Sequence, residues 1–281
     1  MMPILFSIAS VPIYSLSIFI ITAWLIFSFL FWRFLRGIGT DEERIFDLTF
    51  YGSIIAFISA RVVYVFLYPS QFVDAPIKVA AIWIAPGLSL EGGLFVGVLA
   101  LLFLSKRLKV RWAHLLDALG YALPLSLAVG HIGGMLGGVP IGKMSGEEWG
   151  LPVVGYSGLR HPVSLYESVG MLILGSILLL LSHRRRASRL SYGAIGILFF
   201  LGWSILSFIV EFFKESSIYW LSFTLNQWAM VVVFCESVGA LYVKGGGKQA
   251  FLLRTRLFQV RIKEKSKEAY EWITRRNSGK N

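Results

Sequence analysis

The sequence is poor in cysteine and in charged residues. Cys235 is the only cysteine in 281 residues, which excludes a framework of internal disulfides. Charged residues make up 15% of the chain and hydrophobic residues 56%. A soluble domain of this size carries about 25% charged residues. The composition therefore excludes an ordinary soluble enzyme and indicates a protein that lies within a membrane.

Apolar segments long enough to cross a bilayer recur along the chain. Each is near the ~20 residues that a membrane-spanning helix needs. None carries the regularly spaced polar residues of a helix with one face in water. We predict an all-α, polytopic membrane protein with seven transmembrane helices, at residues 12–35, 48–68, 88–104, 115–136, 163–181, 193–213 and 220–243.

Acidic residues are few relative to basic ones. The chain has 16 Asp and Glu against 27 Lys and Arg, a net charge of +11. Most basic residues follow the first, third, fifth and seventh predicted spans, within 33–44, 106–111, 184–189 and 244–280. Cytoplasmic loops carry the excess of Lys and Arg, so this pattern predicts an outside N-terminus and a cytoplasmic C-terminus. The domains are then a membrane domain, 1–243, and a basic tail, 244–281. No nucleic-acid recognition motif accompanies the charge.

Seven ionisable residues fall at membrane depth or near its edge. Leaving one of them unpaired in the bilayer costs about 2.5–3.5 kcal/mol. The set therefore predicts a polar cavity between the helices. Its members are Arg61, Glu91, Asp117, His131, Glu167, Glu211 and Glu236.

The richest polar segment stands at the start of the fifth span. Pro162 suits the first turn of a helix, where no backbone N–H is needed. Arg160 and His161 then lie in the preceding loop, and Tyr166 and Glu167 lie one turn inside the helix. Groups this polar are kept at the edge of hydrocarbon when they pair with each other or with a ligand.

Three other positions each leave two interpretations open. Glu91, before Gly92 and Gly93, is either a general base or a structural partner of Arg61. The glycine-dense run 130–138 around His131 either unwinds to offer N–H groups to a phosphate or packs helices closely. Glu211 either acts in the site or forms a helix-end ion pair with Lys214 at i+3.

The remaining ionisable groups carry less information. Asp117 is explained by capping the start of the fourth span. Glu236 has no assigned role. A metal site is not indicated, because His114 and His183 fall on the predicted cytoplasmic side, away from the other two histidines.

These motifs resemble those of the bacterial prolipoprotein diacylglyceryl transferase family, over about residues 4–242. Segment 160–167, Arg-His-Pro-Val-Ser-Leu-Tyr-Glu, matches the family pattern R-H-P-x-Q-L-Y-E. Segment 209–214, Ile-Val-Glu-Phe-Phe-Lys, matches I-V-E-F-F-R. Weaker matches are Ala-Arg-Val-Val-Tyr at 60–64, Gly-Leu-Ser-Leu at 87–90 and Asn-Gln at 226–227.

The resemblance implies a multi-pass protein of the bacterial cytoplasmic (inner) membrane. Its substrates would be phosphatidylglycerol and the signal peptide of a prolipoprotein, without a cofactor or metal. The diacylglyceryl group would move to a lipobox cysteine thiol, releasing glycerol phosphate. The implied catalytic residues are Glu91, His131 and Glu211. The implied substrate-binding residues are Arg61, Tyr64, Gly92, Gly93, Gly142, Arg160, His161, Tyr166 and Glu167.

The chain also departs from the family pattern. The family has His where this chain has Glu91, and Arg where it has His131 and Ser207. Two family Asn residues and a Glu correspond to Gly134, Gly137 and Val139, and an early Tyr aligns near Leu16, with Tyr14 close by. Three functions stay open: a diverged active transferase, a transferase with a different lipid or acceptor, and a catalytically degenerate protein that binds lipid or a partner.

Overall fold

The apolar segments form helices throughout the part of the chain that the computed structural model describes, residues 3–8, 11–82, 84–85, 87–183, 191–216 and 219–246. The helices there are α1 (Ser15–Gly37), α2 (Glu42–Leu67), α3 (Leu90–Arg107), α4 (Trp112–Gly137), α5 (Val163–His183), α6 (Ala194–Glu211) and α7 (Leu225–Lys244). Two short 3₁₀ helices, Pro69–Gln71 and Pro76–Val79, lie between α2 and α3.

Short strands outside the helices form three antiparallel pairs in the described residues. The pairs are β1 (Ile4–Ile8) with β2 (Val11–Tyr14), β3 (Leu151–Pro152) with β4 (Leu159–Arg160), and β5 (Tyr219–Trp220) with β6 (Phe223–Thr224). The all-α prediction did not include them, because their few residues sit next to much longer apolar runs.

Six of the described helices are long and apolar enough to cross a membrane, namely α1, α2, α4, α5, α6 and α7. α3 has only 18 residues, and three of them are the charged Glu91, Lys106 and Arg107. It is therefore not among the helices that are apolar enough to cross a membrane. A mostly helical, polytopic membrane architecture is therefore confirmed, with six candidate spans.

α4 lies at the centre of the helix packing and contacts α1, α3, α5 and α6. Leu115 and Leu119 of α4 are almost fully buried, as are Phe31 of α1 and Phe199 of α6. These buried side chains form an apolar core around α4.

The glycine run near the end of α4 stays helical. α4 continues to Gly137 and ends at Gly138, whose φ of 76° is left-handed. A Cβ on Gly133 would overlap Phe19 of α1, and one on Gly137 would lie 3.3 Å from the Leu16 Cβ. The run therefore serves close helix packing, and the unwound alternative is not observed.

Asp117 caps a different helix from the one predicted. It lies inside α4, which begins at Trp112, so it does not cap the start of its own helix. Its carboxylate accepts hydrogen bonds from the backbone N–H groups of Gly193 (2.8 Å), Ile195 (3.0 Å) and Gly196 (3.3 Å). These are N–H groups at the start of α6 that have no partner inside that helix. Asp117 thus fastens the start of α6 to α4.

The chain divides into two compact units, Met1–Phe234 and Cys235–Asn281. The first contains the whole candidate site. The second is described as far as Gly246, and the predicted basic tail beyond that residue lies outside the described residues. The predicted boundary between residues 243 and 244 stays a prediction.

Candidate active site

The polar motifs of the sequence meet at one end of the first unit. The C-terminal ends of α2, α4 and α6 lie there with the N-terminal ends of α3 and α5, because successive helices run in alternate directions. The loop 138–162 between α4 and α5 covers the same end. Each motif residue is therefore placed by the end of a helix or by a loop fixed to one.

Glu167 joins the side chains of Lys214 and His131. Its Oε1 lies 2.7 Å from the Lys214 Nζ, and its Oε2 lies 3.0 Å from the His131 Nδ1. All three side chains are almost completely buried. A buried carboxylate between two donors is strongly held, because removing either partner leaves charge without compensation.

Glu211 is the second carboxylate of this network. It accepts hydrogen bonds from the hydroxyl of Thr224 (3.0 Å) and the amide of Asn226 (2.8 Å). The Lys214 Nζ lies 3.3 Å from its Oε2, which confirms the predicted i,i+3 ion pair. Lys214 therefore links Glu211 to Glu167, and we call His131, Glu167, Glu211 and Lys214 the ion-pair network.

Glu91 lies within electrostatic reach of the same network. Burial would lower the pKa of Lys214, but the carboxylates of Glu167, Glu91 and Glu211 outweigh it and raise that pKa above its usual value. The pKa of Tyr68 is raised by burial and then by the charges of Tyr64, Glu91 and Glu211. Within the described residues, the Glu91 side chain makes no hydrogen bond or ion pair.

Arg160 fixes the loop 138–162 to the segment that follows α6. Its guanidinium donates to the Gly142 carbonyl at 3.0 Å and pairs with Glu215. Gly142 also bridges to Lys214 through the backbone. A Cβ on Gly142 would overlap the His161 carbonyl, so only glycine permits this approach.

His161 and Tyr166 form an aromatic and polar cluster beside the network. The Tyr166 hydroxyl lies 3.2 Å from the His161 Nδ1 and accepts a hydrogen bond from the Trp149 indole at 3.1 Å. The Phe213 ring packs edge-on against both the His161 and the Tyr166 rings. This contact joins the 160–167 motif to the 209–214 motif.

Arg61 contacts backbone carbonyls and not the ion-pair network. Its guanidinium donates to the backbone carbonyls of Lys78 (2.6 Å), Gly87 (2.8 Å) and Val79 (2.9 Å). In the described structure it therefore fastens the α2–α3 loop and does not pair with Glu91. The neighbouring Tyr64 hydroxyl donates to the Gln71 side chain at 3.3 Å.

Gly92 and Gly93 bring α3 close to α2. A Cβ on Gly92 would lie 2.5 Å from the Val63 Cβ, and one on Gly93 would lie 3.0 Å from the Ala56 carbonyl oxygen. Ser89 caps the helix by accepting a hydrogen bond from the Gly92 N–H at 3.1 Å. This packing positions Glu91, the second residue of α3.

Two buried polar atoms of the site have no hydrogen-bond partner among the described residues, the Nε of Arg160 and the Oδ1 of Asn226. Buried groups of this kind are normally satisfied, so each is a position that a ligand would complete. A narrow crevice lies nearby, lined in part by Gly134, Gly142 and His161.

The ion-pair network can act on an anionic substrate. Glu167 occupies the Nδ1 of His131, so the Nε2 is the ring nitrogen left for a ligand. An imidazole held in this way can contact a phosphate oxygen, and Arg160 supplies an N–H donor. A carboxylate such as Glu91 accepts a proton from an incoming nucleophile.

Several contributors were not predicted as site residues. Lys214 was assigned only to a helix-end ion pair, and Glu215 and Trp149 were not assigned a partner. Thr224 and Gln227 form a reciprocal capping box, with the Thr224 N–H bonded to the Gln227 side chain at 3.0 Å and the Gln227 N–H to the Thr224 hydroxyl at 3.1 Å. The spacing Thr-x-x-Gln is a sequence signal for such a cap and would have located Thr224.

The chain matches known proteins over most of its length. The sequence profile of the prolipoprotein diacylglyceryl transferase family matches residues 3–243. A phosphatidylglycerol–prolipoprotein diacylglyceryl transferase of Wolbachia sp. subsp. Drosophila simulans (strain wRi) is 30% identical over 240 residues, 80% of this chain and 88% of the relative. The protein of that name from Nitrosomonas europaea is 29% identical over 216 residues, 74% of this chain and 75% of the relative.

The fold and the site together define a polytopic helical membrane protein with a buried network of ion pairs at one end of its bundle. The family profile covers every residue of that network. The chain belongs to the prolipoprotein diacylglyceryl transferase family.

Proposed function

We propose that this chain transfers the diacylglyceryl group of phosphatidylglycerol to the thiol of a lipobox cysteine in a prolipoprotein. The names of its relatives describe this activity. In the reaction, a sulfur–carbon bond forms at the glycerol carbon while the carbon–oxygen bond to phosphate breaks. The thiol proton goes to a base, and glycerol phosphate leaves with the bonding electron pair.

The observation that carries the proposal is the contact of Glu167 with both His131 and Lys214. It joins the two most specific family motifs in one buried network. It also fixes an imidazole where the family has a guanidinium.

The residue roles follow from these contacts. His131, oriented by Glu167, presents its Nε2 to the phosphate leaving group, and the Nε of Arg160 donates to the same group. Glu91 accepts the thiol proton. Glu211 and Lys214 keep Glu167 and His131 in position. Tyr166 and His161 line the path by which the substrate reaches the site.

The proposed topology places this site on the outer side of a bacterial cytoplasmic membrane. α3 is then a seventh span of 18 residues, the same length as α6. The N-terminus lies outside and the basic tail in the cytoplasm, so the signal peptide of the substrate enters from the bilayer. The charged residues at the opposite helix ends, such as Lys106, Arg107 and Arg36, support this orientation.

A second candidate is a protein that binds lipid or a partner without turnover. The observation that favours it is that three loop carbonyls bind the Arg61 guanidinium through all three of its nitrogens, which ties this arginine to the loop. A transferase with another lipid or acceptor would share the same geometry.

Complementation tests the proposal. The chain is expressed in a bacterium whose own transferase is depleted, and growth and the lipid modification of a reporter lipoprotein are measured. We expect rescue by the wild-type chain and by Val238→Ala, a control at an exposed position of α7 outside the ion-pair network. Equal membrane levels of the protein without any thioether-linked diacylglyceryl on the reporter would contradict the proposal and favour the second candidate.

A further inference from the structure

Two successive hydrogen bonds connect the loop 138–162 with the aromatic cluster of the site. The Trp149 indole nitrogen lies 3.1 Å from the Tyr166 hydroxyl oxygen, and that oxygen lies 3.2 Å from the Nδ1 of His161. We call these three residues the hydrogen-bond series. Its first member, Trp149, is 60% exposed and lies outside the ion-pair network, and the proposed reaction gives it no role.

The indole fixes the direction of the series. An indole nitrogen only donates, so the Tyr166 oxygen is the acceptor of the first bond. The phenol has a single hydrogen, and its second partner among the described residues is the His161 Nδ1. The phenol therefore donates to that nitrogen, which must carry no hydrogen. A neutral imidazole of this kind has its proton on Nε2.

The opposite tautomer of His161 does not fit the same contacts. With a hydrogen on Nδ1, the Tyr166 oxygen would receive two N–H groups, and the phenol hydrogen would have no acceptor among the described residues. A reversed imidazole ring would set a carbon against the phenol and lose the bond. The Phe213 ring packs edge-on against both rings, at 5.2 Å from His161 and 5.9 Å from Tyr166, and keeps them together.

The turn that carries Trp149 is fixed to the rest of its loop. The Gly150 N–H donates to the Glu147 carbonyl at 3.1 Å, and the Glu147 N–H donates to the Ser145 hydroxyl at 3.1 Å. The Ser145 N–H in turn donates to the Leu159 carbonyl at 2.8 Å. A Cβ on Gly150 would lie 2.7 Å from the Leu159 Cβ, so the turn packs closely against β4. The indole therefore has a defined place at the start of the hydrogen-bond series.

We propose that Trp149 is a positioning residue that keeps the Nε2–H of His161 available as a hydrogen-bond donor to the phospholipid substrate. The Nε2 makes no hydrogen bond with any described residue, and His161 lines the crevice beside the site. The ligand atom that meets this N–H is an acceptor oxygen, of which a phospholipid has several. The identity of the ligand rests on the proposed function, whereas the direction of the series does not.

Nitrogen-15 NMR of the full chain, labelled at histidine, measures the tautomer. In alkaline buffer an imidazole is neutral, and its protonated and bare nitrogens have well-separated shifts. His161→Gln identifies the His161 signals among those of the four histidines. The wild-type chain should carry the proton on Nε2, and Trp149→Phe, which keeps a ring but no donor, should populate the Nδ1–H form. Trp112→Phe is the matched control, because Trp112 is 50% exposed and starts α4 at the end away from the site.

Kinetic constants report whether this donor reaches the substrate. Trp149→Phe should raise the KM for phosphatidylglycerol about two- to tenfold, the effect of one hydrogen bond, with kcat close to that of the wild type. His161→Gln keeps an N–H near the Nε2 position and His161→Asn keeps one near the Nδ1 position. The KM should therefore rise more for His161→Asn than for His161→Gln.

The two sets of measurements separate this inference from the proposed function. A proton on Nδ1 in the wild-type chain, or the same spectrum for wild type and Trp149→Phe, would overturn the direction of the series. An unchanged KM for Trp149→Phe, or equal constants for the two His161 variants, would overturn the donor role. If the wild-type chain does not transfer, the proposed function fails, and the spectra and the Kd for phosphatidylglycerol decide this inference in place of KM.

Discussion

The Nζ of Lys214 lies 2.7 Å from the Oε1 of Glu167 in the interior of the protein. These residues end the 209–214 motif and the 160–167 motif, which are far apart in sequence. The ion pair fixes the end of α6 against the start of α5 and holds Glu167 in the position from which it contacts His131. Several consequences can be measured.

Lys214→Met should lower the stability of the protein clearly, because the Lys214 side chain is buried although it follows the end of a helix. Without the cation, Glu167 and Glu211 remain buried with less compensation, which costs about 3–5 kcal/mol when one partner of a buried pair is removed. We expect a clear fall in thermal stability in detergent, together with loss of transfer.

Lys214→Arg is the matched control for that change. The family pattern has Arg at this position, and a guanidinium reaches both carboxylates. Thermal stability and transfer should therefore stay close to wild type. If Lys214→Met were as stable as Lys214→Arg, the ion-pair network would not have the structural role assigned to it.

Arg61→Lys should weaken the α2–α3 loop. A lysine cannot reach all three carbonyls that the guanidinium contacts, and each part-buried hydrogen bond that is lost costs about 0.5–1.5 kcal/mol. We expect lower thermal stability and faster proteolysis between residues 68 and 89, with the KM for phosphatidylglycerol unchanged. Arg107→Lys, at an exposed helix end, is the control. A raised KM with unchanged stability would instead show that Arg61 binds the phosphate directly.

Asp117→Ala should loosen the start of α6. The change removes the acceptor of three backbone N–H groups, and loss of a helix cap costs about 0.5–2 kcal/mol. Thermal unfolding of purified protein would report this loss. Asp47→Ala is the control, because Asp47 lies in a helix near the same end of the bundle and makes no hydrogen bond or ion pair among the described residues. Equal effects of the two substitutions would contradict the capping role.

Restoring family residues tests how the site has diverged. Ser207 lies one turn before Glu211 in α6, on the same face of the helix, and is buried. An arginine there, combined with Glu91→His and His131→Arg, would return a second guanidinium and an imidazole to the site. If this chain is a diverged transferase, the triple variant should transfer at least as fast as wild type. Gain of transfer from an inactive wild type would identify the chain as a degenerate member.

The sequence was sufficient for the positions of the helices and for part of the site. Spans of apolar residues predict transmembrane helices because the bilayer demands internal hydrogen bonding, which fixes both the type and the length of each element. The motif spacing placed Arg160, His161, Tyr166 and Glu167 at a helix start, and the structure has α5 beginning at Val163. Lys214 was correctly paired with Glu211 because i,i+3 neighbours meet on any helix end.

Contacts between distant segments could not be predicted in the same way. Asp117 caps α6 and Arg61 holds loop carbonyls, and both partners depend on how helices pack, not on local spacing. The strand pairs formed by 151–160 and 219–224 contain too few residues to show a period. Glycines also remained ambiguous, because close packing and ligand contact require the same absence of a side chain.

The central claim is that Glu167 and His131 act together in diacylglyceryl transfer. Purified protein is placed in phosphatidylglycerol vesicles with a lipobox peptide, and mass spectrometry follows the gain of one diacylglyceryl group on the cysteine. The wild-type chain should form this thioether, while Glu167→Gln and His131→Ala should each lower the rate by about 10²-fold or more. No product from wild type, or equal rates from all three proteins, would contradict the account.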